Sequence, residues 1–154
     1  MSSTSEIANE LPLLIADLFE AAGAMRRQGD RLAAVAGQTQ ARWQVLSILS
    51  DGQWTVPRVA RRLGTTRQSV QRVADALRDD GLLTMEPNPD HERSPLLRLT
   101  QKGDQTLRAI TDTARRWHER VAPRLDPSDL AATRRFIRAF IAEGDAGMRL
   151  SRQR

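Results

Sequence analysis

A mainly α-helical fold, broken once by a two-stranded β-hairpin, is what this sequence predicts, and three observations predict it. Apolar residues recur at helical spacing along most of the chain. The period changes to that of short strands only at residues 82–86 and 96–100. Between those runs lies Pro87-Asn88-Pro89-Asp90-His91-Glu92-Arg93-Ser94-Pro95, a segment crowded with turn formers.

The first helix is expected from Glu6 to about Gln28, where Ile7, Leu11, Leu14, Ile15, Leu18, Phe19, Ala22 and Met25 keep helical register. Pro12 is expected in its first turns, where a missing N–H does least harm, and Gly29-Asp30 to loosen its end. Trp43, Leu46 and Leu49 mark a second helix over 40–50, stopped by Asp51-Gly52. Thr55 is a candidate N-cap for a third helix, with Pro57 in its first turn, Val56, Val59, Ala60 and Leu63 as its apolar stripe and Gly64 as its left-handed stop. Thr66 caps a fourth helix to about Asp80, closed by Gly81, whose inward stripe is Val70, Val73, Ala74 and Leu77. After the hairpin, a fifth helix spans Gln101 to about Val121 and Pro123 breaks it. A last one opens at Asp126-Pro-Ser-Asp129 and carries Leu130, Phe136, Ile137, Phe140 and Ile141.

Composition narrows the function classes. The 154 residues suit one domain, and no apolar run approaches a membrane span. The first residues lack the basic and apolar regions of an export signal, so a cytoplasmic protein is expected. Cysteine is absent, which removes disulfides and thiol chemistry. His91 and His118 stand in no metal-ligand spacing, there is no phosphate-cradling glycine loop, and no catalytic constellation suggests itself; no cofactor and no enzyme activity are expected. The net charge is +5, carried by arginine except at Lys102. Arginine suits phosphates and guanine edges, but GC-rich codon usage produces the same excess, so position has to decide.

Two short helices joined by a tight turn form a helix-turn-helix, and a hairpin directly after it makes the winged version, here residues 55–100. With its stripe buried, the fourth helix turns Arg67, Gln68, Gln71 and Arg72 outward, with Ser69 flanking them. These side chains pair with guanine and adenine edges in a major groove, though an ordinary solvated helix favours the same types. The hairpin tips the balance, because the arginine of its tip, Asp90 to Arg93, is placed to enter the adjacent minor groove. Pairing of Arg93 with Asp90 or Glu92 is the plainer alternative.

The run Thr65-Thr-Arg-Gln-Ser-Val-Gln-Arg-Val-Ala-Asp-Ala-Leu-Arg-Asp-Asp-Gly-Leu-Leu83, followed by Asn88-Pro-Asp-His-Glu-Arg93 and Leu97-Arg-Leu-Thr-Gln-Lys-Gly103, resembles the MarR family of bacterial transcription regulators. The resemblance implies a winged helix-turn-helix that binds double-stranded DNA, with Thr66, Arg67, Gln68, Ser69, Gln71, Arg72, Asp90, His91 and Arg93 as its contact set. The family's wing commonly carries Asp-x-Arg. His91 stands at the usual Asp position and Asp90 one residue early, which leaves both as alternative supports for Arg93.

The resemblance also implies a homodimer joined through residues 6–28 and 101–148. The amphipathic flanking helices agree, offering more apolar surface than one protomer covers easily. A dimer of this kind reads a pseudo-palindrome with half-sites roughly 10 bp apart. Many members of the family release DNA when an aromatic acid or phenol binds between the dimerisation helices and the winged module. Leu18, Met25, Arg42, Trp43, Ile110 and Trp117 are the residues the resemblance offers for such an effector site, and each has a core or surface role as its simpler alternative. A ligand-independent DNA-binding protein and a winged-helix protein-interaction module stay open beside the effector-released repressor.

Overall fold

A computed structural model describes residues 3–151, with side chains from 4 to 144; the Arg-rich C-terminal tip lies outside the described residues. Six helices and one hairpin follow in the expected order: α1 Ser3–Ala33, α2 Gln40–Leu49, α3 Val56–Leu63, α4 Arg67–Asp79, β1 Leu83–Glu86, β2 Leu96–Leu99, α5 Gln101–Val121 and α6 Pro127–Ser151. The chain divides into two compact units, Met1–Ala114 and Arg115–Arg154, with the division inside α5.

In the N-terminal unit, Val45, Leu46, Leu49, Val59, Val70, Ala74, Leu77, Leu82, Leu83 and Leu97 form a continuous buried core. It draws on α2, both helices of the helix-turn-helix and both strands, so burying these stripes fixes the hairpin against the helices. Leu63 and Val73, expected inward, are only half buried at the edge of this core. The turn between α3 and α4 is short because Gly64 adopts φ 62°, and Thr65 N–H then closes back on the Ala60 carbonyl at 3.0 Å. Gly81 ends α4 in the same way, with φ 73° and Leu82 N–H on Leu77 O at 2.8 Å.

Two expectations about α1 need correction. The helix begins at Ser3, so Pro12 lies in its interior and not in its first turns. It also runs through Gly29 and Asp30 to Ala33. Gly29 is buried because α2 approaches it: a Cβ there would sit 2.3 Å from Gln40 Cγ. Asp30 serves the next helix, its carboxylate accepting from Gln40 N–H at 2.8 Å. The helix ends instead at a short 3-10 turn, Ala34–Ala36.

β1 and β2 pair antiparallel, from Leu83 opposite Leu99 to Glu86 opposite Leu96. Trp54 adds a one-residue rung that the sequence did not announce, its carbonyl accepting from Leu97 N–H at 2.8 Å. At the far end of the sheet, Thr100 N–H donates to Leu82 O at 3.1 Å and its hydroxyl to Gly81 O at 2.7 Å. The same hydroxyl accepts from Gly103 N–H at 3.0 Å, which starts α5. Gly103 is buried, and a Cβ on it would fall 1.9 Å from Leu82 O. The Leu-Thr-x-x-Gly run is thus a joint between hairpin and α5, built on backbone contact.

In the C-terminal unit, Asp126 caps α6: its carboxylate accepts from Ser128 N–H at 2.7 Å and Ser128 Oγ–H at 2.6 Å, which lowers its pKa. Along α6 Phe136 and Phe140 stack with centroids 6.1 Å apart, both exposed, as are Leu130 and Ile141.

Candidate nucleic-acid interface

The turn Gly64-Thr65-Thr66 delivers α4 with its apolar stripe against the core, and this leaves Arg67, Gln68, Gln71 and Arg72 exposed on the other side. Among the described residues, the side chains of Arg67, Gln68 and Arg72 make no hydrogen bond or ion pair. Gln71 is partly engaged, its amide donating to Asp75 at 3.1 Å. Ser69 is half buried, and its role begins with the cap: Thr66 Oγ accepts from Ser69 N–H at 3.1 Å and donates to Ser69 Oγ at 2.9 Å. Thr66 therefore caps the start of α4, as expected. Thr55 holds the N-cap position of α3 through its backbone, without a side-chain cap.

The wing tip is an ordered turn centred on Asn88. Its side-chain amide donates to Ser94 O at 2.9 Å, and its Oδ1 accepts from Asp90 N–H at 3.1 Å. Further bonds, His91 N–H to Asn88 O and Ser94 N–H to His91 O, close the tip. Asp90, His91 and Arg93 are exposed, and Arg93 forms no ion pair with Asp90 or Glu92 among the described residues. At the base of the wing, Arg98 pairs with Glu86 at 3.1 Å.

A cleft of about 560 Å³ lies between the start of α3, the first residue of α4 and the wing tip. Four of the expected residues, Arg67, Asp90, His91 and Arg93, line it together; the others lie along α4 outside it. Among the lining residues outside the expected contact set are Asn88 and Arg58. Asn88 was readable only as a turn former. Arg58 stands between Pro57 and Val59 on α3 with no motif to mark it, and only its outward helical phase was available as a signal.

The opposite end of α4 is held by two cations. Arg42 of α2 donates to the Ala76 carbonyl at 3.3 Å and pairs with the Asp80 carboxylate, while Lys102 Nζ donates to Asp80 O at 2.8 Å. These groups sit where the helix dipole favours positive charge. The hydrogen bond and charge of Arg42, with Lys102 behind them, hold the Asp80 carboxyl below the usual carboxylate range.

The residues offered for an effector scatter over several environments. Leu18 is half buried and Met25 exposed on α1, whereas Ile110 is wholly buried within α5. Trp43 is half buried, its indole N–H sequestered without a partner, and it lines an open surface pocket of about 480 Å³ beside Gln40, Ile48 and Leu63. Trp117 belongs to the C-terminal unit, where its ring meets His118 edge-on at 5.3 Å. No helix among the described residues is long and apolar enough to cross a membrane, and none of them cluster as a metal site.

Comparison with known proteins gives one consistent outcome. The sequence profile of the MarR family matches residues 36–94, the span from the end of α1 to the wing tip. Uncharacterized proteins from Mycobacterium tuberculosis and Mycobacterium bovis are 51% identical over 135 residues, covering 88% of this chain and 94% of theirs. Among solved structures, a MarR family transcription regulator superposes with a TM-score of 0.78 at 19% identity, over 94% of this chain and 97% of its own. A MarR family transcriptional regulator from Streptomyces coelicolor, crystallised in complex with DNA, gives 0.75 at 23% identity over 88% of each chain. CouR from Rhodococcus jostii, bound to p-coumaroyl-CoA, gives 0.72 at 17% identity over 82% of this chain and 90% of its own. The helix-turn-helix and the first strand and tip of the wing lie within the matched span, the solved regulators share the fold over most of the chain, and the chain belongs to the MarR family of winged helix-turn-helix transcription regulators.

Proposed function

We propose that the protein binds double-stranded DNA in a sequence-specific manner, with α4 in the major groove and the wing reaching the neighbouring minor groove. One observation carries this reading: Arg67, Gln68 and Arg72 share an exposed face of α4 and spend nothing on internal partners, and Arg67 lines a cleft together with Arg93 of the wing. Unpaired arginine and glutamine at helical spacing are equipped for guanine and adenine edges. The DNA-bound Streptomyces relative supports the same use of the fold.

The protein acts as a homodimer in this reading. Apolar side chains left in the open support it: Phe19 is 75% exposed on α1, and Leu130 and Ile141 are exposed on α6. Two wings and two recognition helices then meet a pseudo-palindrome with half-sites roughly 10 bp apart. The regulator is a repressor released by a small aromatic effector, a reading supported by the ligand-bound CouR relative and by the pocket beside Trp43. Its contact set is Thr66, Arg67, Gln68, Ser69, Gln71, Arg72, Asp90, His91 and Arg93, with Thr66 and Ser69 acting chiefly by fixing the helix start.

Selection of bound fragments from genomic DNA, followed by sequencing, tests the reading. Enrichment of one pseudo-palindromic sequence is expected, and Arg72→Ala should lose about 1–3 kcal/mol on it while relaxing the preference at one base pair. Should that variant bind the selected sequence and random DNA as the parent does, α4 is not the reading element.

A further inference from the structure

We propose that Arg58 is a DNA-phosphate ligand lining the cleft, and that Trp54 is the residue that positions it. The proposal rests on the DNA-binding reading and adds to it a contact on α3, the helix that does not read bases. Three arginines from three elements converge on this cleft: Arg58 from α3, Arg67 from α4 and Arg93 from the wing. His91 lines it too, and Asp90 is the one carboxylate among the lining residues. The balance of charge is positive, which suits a strand of phosphodiester passing from the recognition helix to the wing.

Arg58 differs from its two neighbours in being held. Its guanidinium lies over the Trp54 ring, 5.3 Å from the centroid, and Nη1 donates to Gln53 O at 2.7 Å. Trp54 is fixed in turn, its carbonyl accepting from Leu97 N–H of β2 at 2.8 Å and its indole N–H donating to Asp51 O. A guanidinium carries five donors, and stacking leaves its edge open, so most of them remain for a phosphate. Ordering the side chain beforehand reduces the entropy lost when DNA binds. Trp54 is tied to the strand that carries the wing, so Arg58 and Arg93 keep a common frame.

The experiment compares parent, Arg58→Gln, Arg58→Lys and Arg31→Ala on the selected operator and on random duplex across a salt series. Each phosphate contact contributes about 0.9 to the slope of log K against log salt. Arg58→Gln should therefore flatten the slope by about 0.9 and, at 0.15 M salt, weaken both DNAs by about fivefold, leaving their ratio unchanged. Arg58→Lys should restore the slope. Arg31→Ala, which removes the same charge from the end of α1 outside the cleft, should leave it as in the parent. For Trp54, Trp54→Phe should weaken binding in the parent and add nothing in the Arg58→Gln background; a merely structural tryptophan would weaken both. A parent-like slope and affinity in Arg58→Gln would overturn the Arg58 proposal and leave the DNA reading standing. An equal loss from Trp54→Phe in both backgrounds would overturn the positioning role, and a parent that binds neither DNA overturns the reading beneath both.

Discussion

Gly103→Ala is the substitution whose effect the structure fixes most directly. An added Cβ would stand 1.9 Å from Leu82 O and 3.0 Å from Leu82 C. Ordinary carbon–oxygen contact begins at roughly 3.4 Å, so α5 and the residue before β1 must part by more than an ångström. Both contacting atoms are backbone, and no rotamer relieves them. Leu82 is 2% exposed, so it cannot retreat without disturbing the core. Overpacking of this kind costs about 1–3 kcal/mol. Straining the bond from Thr100 N–H to Leu82 O adds about 1 kcal/mol. The better helix propensity of alanine returns about 1 kcal/mol. The expected net loss is about 2 kcal/mol, a large share of a typical domain's stability.

Urea unfolding followed by circular dichroism, at one fixed protein concentration, measures it. Two further glycines calibrate the result. Gly29→Ala meets only side-chain atoms of Gln40, at 2.3 and 2.9 Å, and should cost less because that side chain can turn away. Gly144→Ala in α6 meets nothing within 4 Å and should stabilise by about 0.5–1 kcal/mol. If Gly103→Ala were as stable as the parent, the close approach of α5 to Leu82 would be wrong, and with it the account of the Leu-Thr-x-x-Gly joint.

Two other outcomes are expected. Asn88→Ala removes both side-chain bonds that close the wing tip, so limited trypsin digestion should cut after Arg93 sooner than in the parent while the melting temperature changes little. Asp80→Asn should lower the melting temperature at pH 7, because Arg42 lowers the folded-state pKa of Asp80 below its ordinary 3.8. A lowered pKa contributes stability above the unfolded value and loses it as pH falls through the folded one, so the gap between parent and variant should close in acid.

How much of this was legible in the sequence depends on whether a feature is local. α3, α4 and the hairpin are spelled out by stripes, caps and the glycines at 64 and 81, all of which act within a few residues of themselves. The outward face of α4 follows from the same stripe. The end of α1 was not legible, because Gly29 and Asp30 carry punctuation that tertiary contact overrides. One accommodates Gln40 and the other caps α2 from ten residues away. Trp54 joins the sheet through a single rung, too short to leave a period. Arg58 is one arginine among many, and only the convergence of three elements on one cleft sets it apart.

Arg42 shows how a site residue and a structural residue can be the same group. The family resemblance offers it to an effector carboxylate, yet its guanidinium already serves Asp80 and the Ala76 carbonyl at the end of α4. Its Nε is buried without a partner. An anion that drew Arg42 away from Asp80 would cost the last turn of the recognition helix the cation that faces its dipole. Lys102 would then be left as the remaining clamp, through Asp80 O. The start of α4 would be untouched, since Thr66 and Ser69 hold it independently.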